Sequence, residues 1–90
     1  MRLHFPNPSR SFDESSHRVL FWGYDGTIEV SFFVEANALK HLYPEMNNAE
    51  AGCLKAFDAA RDRIYKVADK LYTRGGNKRT YAFVLAEDDF

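Results

Sequence analysis

The chain is poor in the residues that would announce a chemistry or a compartment. It has a single cysteine, Cys53, so no disulfide can form within it. The segment Met1-Arg2-Leu3-His4-Phe5-Pro6 lacks the apolar run of a secretory signal, and cytoplasmic residence is the expectation. Its apolar runs are only a handful of residues long, against roughly 20 for a membrane-spanning helix, so no membrane span is expected. Charge of one sign is also missing. Twelve Lys and Arg against thirteen Asp and Glu leave a net charge of −1, which gives no global pull toward nucleic acid or an anionic membrane.

What is present is apolar and aromatic. Hydrophobic residues make up 46% of the chain, with eight Phe, five Tyr and one Trp, far too many for a disordered segment. Ninety residues make one domain. A core of that size buries only about 60–65% of the unfolded surface, a margin that oligomerisation would improve. Residues 1–16, with Pro6, Pro8 and four serines, read as a lead-in in which Leu3-His4-Phe5 can add a short edge strand. Residues 17–86 form the folded core and 87–90 a frayed acidic tail whose Phe90 can find an apolar contact.

The clearest local signal is a β-hairpin. Two β-rich runs, Val19–Tyr24 and Thr27–Val34, flank Asp25-Gly26, a pair suited to a two-residue turn. That loop sets Phe21 opposite Val30 and Val19 opposite Phe32. Alternation then places Val19, Phe21, Ile28, Val30, Phe32 and Val34 on a core face, and Leu20, Trp22, Tyr24, Glu29, Ser31 and Phe33 on the other. A short helix over Glu35–Tyr43 is stopped by Pro44. Asn47 and Glu50 have the spacing of a capping box, from which one long helix runs to Arg74-Gly75-Gly76. Its seam is Cys53, Phe57, Ala60, Ile64, Val67 and Leu71, with Asp58, Asp62, Lys66 and Lys70 opposite. Thr80–Ala86 alternates as a final strand. The expected fold is a two-layer α+β domain in the order β-β-α-α-β. An antiparallel hairpin and a C-terminal strand pack against one long helix.

The order of elements, with Val19-Leu20-Phe21, Asp25-Gly26, Ala36-Asn37-Ala38-Leu39 and Phe57 to Ile64, resembles a family of short bacterial proteins catalogued as Domain of Unknown Function 1488. The resemblance covers most of the chain. It implies a compact α+β fold of this length and carries no activity, cofactor or catalytic residue to any position.

Candidate chemistry is sparse. His4, His17 and His41 fall on three different elements without carboxylate or cysteine at ligand spacing, so neither a metal nor another cofactor is expected. Cys53 lies on the apolar seam, where a thiol acts as a small hydrophobe. Asp58, Asp62 and Asp69 stand among Lys and Arg and read as a solvated face. Arg74, Lys78 and Arg79 gather three cations around Gly75-Gly76 and form the candidate contact for an anion or nucleic acid. The ordinary reading of those cations is the basic end of a helix. The larger anomaly is the second hairpin face, because Leu20, Trp22, Tyr24 and Phe33 exceed what a solvated sheet carries. Either residues 1–16, with Leu3, Phe5 and Phe12, or the short helix cover it, or another chain does. The leading expectation is a non-enzymatic interaction module, binding a protein partner or a second copy. The alternatives are a nucleic-acid accessory protein using the basic loop, and an enzyme using His41 or Tyr43 with an acid.

Overall fold

The computed structural model describes residues 3–75 and 82–90. Four strands, β1 (Ser11–Asp13), β2 (Arg18–Asp25), β3 (Ile28–Glu35) and β4 (Ala82–Leu85), lie side by side in that order in one sheet. Between β3 and β4 run three helices, α1 (Ala36–Leu42), α2 (Glu50–Ala59) and α3 (Arg61–Gly75), and a short 3-10 turn over Glu87–Asp89 follows β4. The expected α+β class holds. The sheet is mixed, however: β1–β2 and β2–β3 are antiparallel, whereas β4 lies parallel to β3. A parallel neighbour needs a long crossover, and the helical segment supplies it.

The hairpin turns one residue later than expected. Asp25 pairs with Ile28 at the end of the ladder, so the loop is Gly26-Thr27 and Phe21 faces Phe32, Val19 faces Val34 and Leu20 faces Phe33. Gly26 has a φ of 65° while Thr27 does not enter the left-handed region, the pattern of a turn with glycine at its first central position. Asp25 is drawn into the ladder rather than the turn by its carboxylate, which accepts a 2.7 Å hydrogen bond from the Tyr72 hydroxyl on α3. Because each partner moves by two residues, every side chain keeps its expected face. Ile28 is the exception in burial: it is 48% exposed at the hairpin tip.

The expected long helix is two helices. Ala60 leaves helical geometry (φ −109°, ψ 17°) and its N–H is shared between the carbonyls of Ala56 and Phe57. No proline or glycine marks this break, and tertiary contacts hold it. The Arg61 guanidinium donates to Asp58, to the Pro8 carbonyl and to the Tyr65 hydroxyl, pinning the junction to the N-terminal segment. Nor is there a capping box: Asn47 accepts from the N–H of Ala49, and α2 begins at Glu50 with no side-chain cap.

Three residues of the expected lead-in, Leu3, Phe5 and Phe12, pack into or against the core. Leu3 is buried, and the Leu3 N–H donates to Asp69, which is therefore not simply solvated. The proposed edge strand reduces to a single bridge in which His4 and Tyr24 exchange backbone hydrogen bonds. Phe5 stacks on Tyr65 at 4.0 Å between centroids and reaches Phe21 and Phe32. Phe21 and Phe32 themselves stack at 5.3 Å, with Phe57 and Phe83 beside them. Thus α1, α2, α3 and the N-terminal segment all bury against one face of the sheet. The acidic tail is tied down as well: Asp89 accepts from the N–H of Ala86, and Phe90 packs on the core.

Phe5 fits because Gly23 lies beneath it. A Cβ at position 23 would stand 2.7 Å from Phe5 Cε1 and 3.3 Å from Phe32 Cε2, and Tyr65 blocks the ring's retreat. Gly23→Ala is expected to cost about 1–3 kcal/mol in chemical denaturation. That cost should largely disappear in a Phe5→Leu background, and an equal cost in both backgrounds would contradict the contact.

Asp58 joins the N-terminal segment to the helix junction by accepting from Arg10 (2.8 Å) and Arg61. Burial opposes its ionisation, but the hydrogen bonds from the two guanidinium groups outweigh that and hold the carboxyl below its ordinary value. A depressed folded-state pKa stabilises the fold above the unfolded value of about 3.9, and the effect is lost as pH falls through the lower folded value. Asp58→Asn should therefore lower the melting temperature slightly near neutral pH, with wild type and variant converging once the pH falls below the folded-state value. A gap that persists in acid would show that the charge is not the cause.

Candidate open sheet face

Strand alternation sends Arg18, Leu20, Trp22 and Tyr24 of β2 to the face opposite the helices, together with Glu29, Ser31, Phe33 and Glu35 of β3. The parallel pairing of Ser31 with Ala82 and Phe33 with Val84 adds two small apolar side chains from β4. Leu20, Trp22, Tyr24 and Phe33 are thus together on one face, each partly exposed, and Val84 beside them is 43% exposed.

The intramolecular covers considered for this face lie elsewhere. Phe12 pairs with Val19 and so shares the helix side; Leu3 and Phe5 pack under the sheet; and α1 turns Ala38 and Leu39 into the core. Among the described residues no element is laid across Leu20, Trp22 and Phe33. The Arg18 guanidinium lies over Phe33, 3.7 Å from its ring centroid, while its Nε donates to Asp13 at 3.1 Å. Hydrogen bonds from Ser15 and Arg18 hold the Asp13 carboxyl below its usual range, which keeps the pair ionised. At the other end the Tyr24 hydroxyl donates to Glu29 at 2.8 Å, and that bond raises the phenol's pKa. The result is an aromatic and aliphatic centre with fixed polar groups at either end.

Arg18 and Val84 escaped the sequence reading of this face. Extending the alternation one step before Leu20, and applying it to Ala82 and Val84 as well, would have found both.

The other candidates gather no site among the described residues. Arg74 is exposed near the end of α3, while Lys78 and Arg79 lie outside the described residues. His4, His17 and His41 are all exposed and apart, and His41 Nδ1 is 3.8 Å from a Glu87 carboxylate oxygen. Among the described residues no three His, Cys, Asp or Glu side chains form a metal-binding group. Cys53 is buried, and burial pushes its thiol pKa up, away from nucleophilic character. Three open hollows are lined by described residues, the smallest, of about 210 Å³, by Ser16, His17, Glu35, Ala36 and Asn37. One of about 520 Å³ lies between Leu3–Phe5 and α3, and one of about 490 Å³ lies at the α2–α3 junction. None includes His41 or Tyr43. Among the described residues no helix is long and apolar enough to cross a membrane.

Comparison with known proteins agrees with this fold. No curated protein matches the chain. A crystal structure of a protein of unknown function from the DUF1488 family of Shewanella loihica PV-4 superposes with a TM-score of 0.80 at 18% identity, over 93% of this chain and 91% of that one. At that identity the likeness concerns the fold. Residues 3–85 match the family described as "Protein of unknown function (DUF1488)", so the chain belongs to the DUF1488 family.

Proposed function

We propose that this chain is a small cytoplasmic interaction module that binds a protein partner through the open face of its sheet, and that it acts by binding rather than by catalysis. The observation that carries this reading is the one-sided burial of the sheet. Among the described residues the helices and Leu3, Phe5 and Phe12 pack on one face, and no element is laid over Leu20, Trp22, Phe33 and Val84 on the other. A two-layer fold normally leaves a solvated sheet face polar, and an apolar one rimmed by polar groups is the usual mark of a docking surface. Tryptophan and tyrosine, with arginine at the edge, are the side chains that contribute most to such interfaces. The rim groups are fixed in advance by the Arg18–Asp13 and Tyr24–Glu29 contacts, so little side-chain ordering remains to be done on binding.

The test is site-specific photo-crosslinking in cells with the full chain, placing the photoreactive residue at Trp22 or at Lys55, an exposed position on α2. A discrete protein adduct at position 22 that is absent at position 55, and that is lost when Phe33→Asp is added, is expected. Equal labelling at both positions, or none at 22, would contradict the reading.

A further inference from the structure

The apolar side chains of the open face stand in two rows across the strands: Leu20, Phe33 and Val84 in one, Trp22 and Ala82 with Ser31 between them in the next. They span β2, β3 and β4, two strand spacings or about 10 Å, which is the width of one α-helix. A second sheet of several strands would overhang such a floor. Charge lies at the two ends. Glu29 stands beside Tyr24 at the hairpin end, and Glu35, in register with Arg18, stands at the other. Arg18 is the one cation at the strand positions of this face among the described residues, and Asp13, which the β1 register puts on the same side, already holds it. Among the described residues neither Glu29 nor Glu35 has a cationic partner, and the donor to Glu29 is the neutral Tyr24 hydroxyl. Each end of the apolar floor thus carries one unbalanced carboxylate. From Glu29 to Glu35 along β3 is about 20 Å, the length of roughly 13 residues of helix.

We infer that the partner of this face is a cationic amphipathic helix laid along β3. Its apolar stripe covers Leu20, Trp22, Phe33 and Val84, and its Lys or Arg residues, about 13 positions apart, meet Glu29 and Glu35. This partner presupposes the docking face proposed above and adds its chemistry. Charge decides between the occupants. A second copy seated face to face would bring acidic end against acidic end whichever way it lay, because the two ends carry the same sign. An anionic membrane or a nucleic acid would be repelled for the same reason. A helix with cations toward both of its ends gains at both. The rim charges then set which partner is chosen and how fast it arrives, while the aromatic and aliphatic centre supplies most of the affinity.

The experiment titrates the full chain with two synthetic helical peptides that share one Leu and Ala stripe and contain no Trp, so that emission from Trp22 reports binding. One peptide carries Lys near both ends and the other carries Glu. The Lys peptide should bind about tenfold more tightly, the effect of two rim ion pairs, and the gap should narrow as salt is added. The preference should reverse in Glu29→Lys/Glu35→Lys, whose folding is checked by circular dichroism; the comparison on wild type stands by itself if that variant does not fold. Equal affinity for the two peptides, no binding of either, or a preference that a folded double variant leaves unchanged overturns the inference. So does self-association that Trp22→Lys abolishes, or adsorption to phosphatidylserine vesicles that Phe33→Asp abolishes. If position 22 still gives its discrete adduct in cells, such a failure removes the cationic helix and leaves the docking face; if the adduct is missing too, both fall.

Discussion

The stacked pair of Phe21 and Phe32 is the contact on which the rest of the molecule depends. The two rings face each other across the central strands at 5.3 Å, both fully buried. Phe57 of α2, Phe5 of the N-terminal segment and Phe83 of β4 each lie against one or both of them. In a chain of ninety residues a single buried cluster of this size draws the amphipathic elements to itself, because a domain this small supports one core. All packing is therefore on one side of the sheet, and the exposure of the other side follows from it.

That constraint also accounts for the local departures. Gly23 lacks a side chain where Phe5 must approach β2, and Asp25 stays in the ladder where Tyr72 reaches it. The helical segment breaks at Ala60, where Arg61 turns back to Asp58 and Pro8. Each is a backbone adjustment that lets an element reach the same aromatic centre. The parallel pairing of β4 with β3 belongs with them, since Phe83 has to reach Phe32 from the end of α3.

Much of this was legible in the sequence. Alternation in Val19–Tyr24 and Thr27–Val34 assigned the two faces correctly even though the turn was placed one residue early, because a two-residue change of partner preserves parity. Helical periodicity located Cys53, Phe57 and Ile64 in the core. What local pattern did not reveal was tertiary in origin. The break at Ala60 has no breaker residue, and the role of Leu3, Phe5 and Phe12 depends on contacts with residues distant in sequence. The direction of β4 depends on a crossover whose geometry no single segment encodes. For the open face, alternation identified Leu20, Trp22, Tyr24 and Phe33. Whether anything folded over them depended on where Leu3, Phe5, Phe12 and α1 went, and these pack on the helix side of the sheet.

The central claim, that one face of the sheet is left without a layer, is tested most directly through the chain's single tryptophan. Trp22 stands in the middle of that face, and its fluorescence reports on no other site. In the purified protein, acrylamide should quench it efficiently at every protein concentration, with the red-shifted emission of a partly hydrated indole. A blue-shifted emission that resists quenching would mean that the chain covers this face itself, and would contradict the account.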